Sequence, residues 1–218
     1  MADSHCRVKT LKIRKFEHTQ PMRFLYLICI VLACISFRNV QTQSWTAAEL
    51  DAANTAKNVT YLDSTEKEIV KYTNLARLYP AKFKTIEVQN YIGTIEQPEQ
   101  YKNSENKRSL MRELAQMKPV AALLPDSLLT EMANCFQAEL AVSGNTGHDR
   151  KKCTEDYSAE NCSFGKYRGK DIVLQLLIDE GVASLGHRKN CLNASYTKLG
   201  VSFGDHKKYR KCAVMDFQ

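Results

Sequence analysis

Long apolar runs are scarce in this 218-residue chain. The one that stands out, FLYLICIVLACISF at 24–37, has 14 residues, fewer than the roughly 20 a membrane-spanning helix needs. There is no C-x-x-C pair, which argues against a zinc knuckle. H-E-x-x-H and a papain-type cysteine signature are also missing, so two familiar protease designs are excluded. No repeat or low-complexity tract is present, and a chain with 44% hydrophobic residues, 9 Gly and 5 Pro is neither collagenous nor wholly disordered. One domain with a sizeable core is expected.

An excess of one charge is missing from the body as well. The formal net charge is +7, yet residues 1–44 hold seven Lys/Arg against Asp3 and Glu17. That leaves 24 basic and 22 acidic residues in 45–218. The basicity belongs to the leader, and no nucleic-acid partner is expected. A short apolar run with basic residues before it and RNVQTQS after it is a secretory signal pattern. Residues 1–44 are therefore expected to be a leader, with translation starting at Met22 and cleavage near Thr42 to Ser44. VLAC, ending at Cys34, only faintly resembles a lipoprotein box.

Export suits the cysteines. Removing Cys6, Cys29 and Cys34 leaves Cys135, Cys153, Cys162, Cys191 and Cys212, an odd number that allows at most two bridges. The pairing is open from sequence; Cys153 with Cys162 and Cys191 with Cys212 are the pairs we expect.

Residues 45–61 read as a polar, loosely attached linker. LDSTEKEIVKYTNLARLYP then offers Asp63 or Ser64 as N-cap, Glu66 for a capping box, apolar residues at helical spacing and Pro80 as a stop. Residues 93–108 read as an exposed loop, followed by a short helix in SLMRELAQM. A long helix from Asp126 or Ser127 to Gly144 is expected to bury Leu128, Met132, Cys135, Phe136 and Leu140. The passage up to Gly169 is loop-like. Helices then follow in KDIVLQLLIDEG and SLGHRKNCLN, and strands in KLGVSFG and KCAVMDF.

VKYTNLARLYP, TGHD, SAENCSFG, DEGVASLGHRKNCLN and LGVSFG with CAVMDF, in that order, resemble the CAP superfamily of cysteine-rich secretory, antigen 5 and pathogenesis-related 1 proteins. The similarity is to its bacterial SCP-like branch and covers residues 62–218. The resemblance implies an α+β fold, a three-layer α-β-α sandwich with a central antiparallel sheet, in a secreted monomer. It also implies a cleft of two His and two acids. His148, Glu160 and His187 match three positions, while Asn74 and Arg77 match a structural N-x-x-R. At the fourth position Ser184 stands where bacterial members carry Ser, Gly181 replaces a Trp, and Glu180 and Asp179 lie one turn earlier, with Glu180 within reach of the cleft.

Two imidazoles and a carboxylate can hold a divalent cation, with zinc favoured and His148, His187 and Glu160 as ligands. Metal-bound water with Glu160 as base would make a metal-dependent hydrolase or protease, the competing reading. Ser184 and Ser163 are read as helix caps rather than nucleophiles. The resemblance implies binding rather than catalysis: a lipid or sterol ligand, or extracellular protein or glycan contacts, at the cell exterior or in a bacterial envelope. Asn58, Asn161 and Asn193 begin glycosylation sequons. Glycans at the last two would crowd the cleft, which suits a bacterial source.

Overall fold

The computed structural model describes residues 43–218. The expected leader, the start at Met22, the cleavage boundary at Thr42 and the cysteines at 6, 29 and 34 lie outside the described residues. In chain order the elements are α1 (Ala47–Ala53), α2 (Ser64–Leu78), α3 (Pro80–Phe83) running into a π-turn (Lys84–Val88), α4 (Glu105–Gln116), β1 (Leu124–Pro125), α5 (Ser127–Ser143), β2 (Ala159–Phe164), α6 (Gly169–Ile178), α7 (Gly186–Leu192), β3 (Lys198–His206) and β4 (Arg210–Phe217). No helix among the described residues is long and apolar enough to cross a membrane.

The sheet order is β1-β3-β4-β2. β3 pairs antiparallel with β4, and β4 with β2, while the two-residue β1 lies parallel to β3. Helix α5 covers one face, and α2, α6 and α7 lie on the other side. The expected α-β-α sandwich is present, with one short parallel edge added to an antiparallel sheet. Strand alternation divides the core. On β4, Ala213, Met215 and Phe217 join the larger cluster with Ile69, Val173 and Leu177, while Cys212 and Val214 meet Phe136 and Leu140 of α5.

Local chemistry sets the helix starts. Asp63 caps α2 in a reciprocal box with Glu66, as the sequence indicates. Asp126 accepts the Leu128 and Leu129 amides at the start of α5, which ends at Gly144 in the left-handed region. The buried face of α5 differs from the expected one: Leu129, Thr130, Ala133, Phe136 and Leu140 are inside, whereas Leu128 is 68% exposed. Close approach to the sheet fixes this rotation. A Cβ on Gly200 would lie 2.2 Å from the Leu129 carbonyl carbon and 2.4 Å from the Thr130 nitrogen, so β3 presents bare backbone to the first turn of α5.

Three further expectations change. The 45–61 segment is attached rather than loose: Trp45 donates to Glu87 at 2.7 Å, and Ala53 and Ala56 are buried. The 93–108 loop buries Thr94, Tyr101 and Ser104, and α4 begins inside it. The disulfide joins Cys135 and Cys153, leaving Cys162, Cys191 and Cys212 as thiols. Cys191 and Cys212 cannot pair because they sit in the two clusters on opposite sides of the sheet.

The N-x-x-R pair is structural. Asn74 donates to the Ala53 and Leu123 carbonyls and accepts the Leu123 amide. Arg77, fully buried, donates to the carbonyls of Ala121, Cys191, Asn193 and Tyr196. It thereby ties α2 to the end of α7.

Candidate functional site

The site forms along β2, an edge strand of the sheet. Glu160 and Cys162 point toward the α5 side, and Asn161 and Ser163 toward α6 and α7, as period-two alternation requires. His148, on the loop after α5, brings Nδ1 to 2.6 Å from Glu160 Oε1. A carboxylate can only accept, so Nδ1 carries the proton and donates. The bond to Glu160 holds the His148 imidazole above its ordinary 6.5, against a smaller opposing effect of burial.

Arg150 fixes that carboxylate. Its guanidinium donates to Glu160 Oε2, at 2.9 Å from Nε, and through Nη2 to both oxygens of Asp216 at 2.7 and 2.8 Å. Phe136 and Tyr157 stack over it, with ring centroids 4.7 and 4.5 Å from Cζ. Glu160 and Asp216 are directly paired across β2 and β4, so two like charges face each other. Burial pushes Asp216 up to about 7, with Arg150 opposing and the Glu160 charge adding to the rise.

His187 comes from the opposite layer. Asp179 ends α6 in the left-handed conformation, φ 58°, which a short polar side chain tolerates better than most. Its Oδ1 lies 2.6 Å from His187 Nδ1, and its Oδ2 accepts the His187 amide at 3.0 Å. Helix α7 has no side-chain cap at Leu185, so Asp179 fills that role from the preceding helix. Arg188 anchors the helix from beneath, donating to the carbonyls of Leu177, Ile178 and Asn106 and to Ser109. The two imidazole centroids are 6.2 Å apart, with the planes inclined by 37°. Each ring therefore donates inward through Nδ1 and leaves Nε2 as its remaining acceptor.

Residues 70–217, more than half of the chain, match the model of the CAP family, described as the cysteine-rich secretory protein family. This chain belongs to the CAP family. Among curated proteins nothing matches it.

Of the residues expected in the CAP cleft, the structure brings together His148, Glu160 and His187. Asp179, rather than Glu180, is the acid on the second histidine. Glu180 is exposed, accepts from Ser104 Oγ at the N-cap of α4, and borders the small pocket beside His187 together with Asp179. Ser184 is exposed and caps nothing, because the α7 amides it would serve are taken by Asp179. Ser163 is buried in β2 and donates to Gln175. The third histidine of the body, His206, is structural: it accepts the Lys208 and Tyr209 amides at the β3–β4 turn. Gly200 to Gly204, GVSFG, spells G-x-S-x-G, but Ser202 is buried in mid-strand and not on the strand-to-helix turn of a nucleophile elbow.

Sequence reasoning missed Arg150, Asp216 and Cys162. Only Asp216 carried a signal, as an acid inside the apolar run CAVMDF. His148, Glu160 and Cys162 offer nitrogen, oxygen and sulfur donors that all lie within 4.8 Å of one another, a set that fits a zinc-like cation. His187 is outside that group, so the expected His148, His187 and Glu160 set is not the tightest one present. Cys135, Glu139 and Cys153 also cluster, but their sulfurs are consumed by the disulfide.

Proposed function

We propose that this CAP chain is an extracellular binding module, acting as a monomer, rather than a hydrolase. The observation that carries the reading is the commitment of both cleft acids. Asp179 is spent on His187 and the start of α7, and Glu160 on His148 and Arg150. A general base must be able to take a proton from substrate or water. Neither carboxylate is free for that, and among the described residues no side-chain hydroxyl or thiol hydrogen-bonds the open Nε2 of either ring, so the two oriented imidazoles suit holding a ligand or an ion. The cleft's metal in this reading is a divalent ion of the zinc class on the His148 side.

The ligand proposed is a lipid. Phe136, Ala138, Leu140 and Val142 of α5 line a groove of about 460 Å³, which Glu139, Asp149, Lys151 and Lys152 also border. That size lies in the range of small-molecule sites. The pocket beside His187 is smaller, about 110 Å³, and is lined by Gln100, Gln175 and Glu180 among others. The lipid is therefore assigned to the α5 groove and not to the histidine cleft. The Cys135–Cys153 disulfide supports an oxidising, extracellular setting.

The test is lipid capture by the purified chain in chelator, read by native mass spectrometry with a fatty acid as probe. Val142→Asp, at a position 79% exposed, should reduce capture at least about tenfold. The double variant His148→Ala, His187→Ala should capture as the parent does. Hydrolysis of a peptide or ester that requires both histidines and stops on chelation would overturn the proposal.

A further inference from the structure

Among the described residues Cys162 has no bridging partner, and it lies two residues beyond Glu160 on the same face of β2. Its Sγ is 3.7 Å from Glu160 Oε1 and 3.9 Å from His148 Nδ1, and those two atoms are 2.6 Å apart. Around a tetrahedral zinc, a sulfur at about 2.3 Å and a nitrogen at about 2.1 Å stand about 3.6 Å apart. The two sulfur distances are therefore already close to ligand spacing, and only the hydrogen-bonded nitrogen and oxygen must separate.

We propose that Cys162 is a metal ligand, and that His148, Glu160 and Cys162 form a mixed nitrogen, oxygen and sulfur site for a thiophilic divalent cation. This deepens the reading of the cleft as an ion-holding site, and it specifies the ion's class. Sulfur selects zinc, cadmium or cobalt over magnesium or calcium, which want oxygen alone. On entry the cation displaces the proton shared by His148 and Glu160 and the thiol proton of Cys162, both released to solvent. Access is by two routes: the His148 side chain is half exposed, and Cys162 lines the small pocket that His187 also borders. Arg150 keeps Glu160 in place from behind without occupying Oε1, so the oxygen facing the sulfur is the one an ion would take. The fourth position is left to water or to a ligand.

The test is titration of the oxidised, purified chain with cobalt(II), followed by thiolate-to-cobalt charge-transfer absorption in the near ultraviolet. The parent should show the band. Cys162→Ser should lose it and bind zinc at least about tenfold more weakly, whereas Cys191→Ala should keep it. Cys162→Val, an apolar filler for the core edge, gives a second variant if the serine chain unfolds, and near-ultraviolet circular dichroism reports folding for both. A parent without the band, or a folded Cys162 variant with parental zinc affinity, overturns the proposal. Fatty-acid capture in chelator is measured on the same preparation. A parent that captures the fatty acid but shows no cobalt band rejects the ligand set alone, and a parent that shows the band but captures no fatty acid rejects the lipid reading alone.

Discussion

Asp179 holds His187 at two points, with one carboxylate oxygen 2.6 Å from the ring Nδ1 and the other accepting the amide of the same residue at 3.0 Å. One side chain thus sets the tautomer of the imidazole and starts the helix that carries it. Asp179→Asn tolerates the left-handed backbone and keeps an acceptor, but removes the charge. It should cost about 1–3 kcal/mol in urea unfolding, whereas Glu180→Gln, one residue later and exposed, should stay within about 0.5 kcal/mol. Equal losses for the two would contradict the assignment of Asp179.

Arg150 is the more consequential anchor. Arg150→Met leaves Glu160 and Asp216 facing each other in a buried place without a counter-charge. Destabilisation of about 3–5 kcal/mol is expected, measured by chemical denaturation. Adding Asp216→Asn should recover part of that loss, because one of the two like charges is removed.

The metal-free chain should lose stability as the pH rises toward and past neutrality. His148 is raised above 6.5 in the folded state, so its contribution is complete below 6.5 and is lost as pH rises through the folded value. Asp216, raised from 3.8 to about 7, also binds its proton more tightly when folded, so its contribution fades over that interval. Thermal unfolding in chelator between about pH 5 and about pH 8 should show the fall, and His148→Gln should flatten its upper part. A rise in stability over this range would reject the coupling.

Gly200→Ala should be costly although the change is one methyl group. The new Cβ meets the backbone of Leu129 and Thr130, which cannot move like a flexible side chain. A loss of about 1–3 kcal/mol is expected, with α5 displaced in a crystal structure of the variant.

In a host that glycosylates its secreted proteins, Asn58 is exposed and should be modified. Asn161 should not be: it is fully buried and donates to the His187 carbonyl and toward Cys191 Sγ. Peptide mapping by mass spectrometry reads both sites. The sequon at Asn161 therefore places no glycan in the folded cleft, which removes one argument from sequence for a bacterial source.

What the sequence showed of this structure was mostly local. The Asp63 and Glu66 capping box lies within four residues, so α2 could be placed before any fold was known. The phase of α5 could not, since Leu128 and Leu129 are equally apolar and the choice between them is made by Gly200, some 70 residues away. Strand β2 gave no apolar pattern because Glu160, Asn161 and Ser163 are buried polar residues, satisfied by Arg150, His187 and Gln175 from other elements. His148, Glu160 and His187 were legible through motif order. Which acid serves His187 was decided by a backbone turn that two adjacent acids cannot reveal.

The Cys135–Cys153 bridge gives the cleft two walls of unequal build. His148 and Arg150 lie on the stretch of chain that this bond closes against α5, so that wall is bolted covalently to its helix. The His187 wall has no such bolt and is carried by Asp179 and Arg188 through hydrogen bonds. A reductant strong enough to open the bond would loosen the His148 wall and leave the His187 wall standing, so the contribution of the His148 wall to holding an ion can be read without changing a residue.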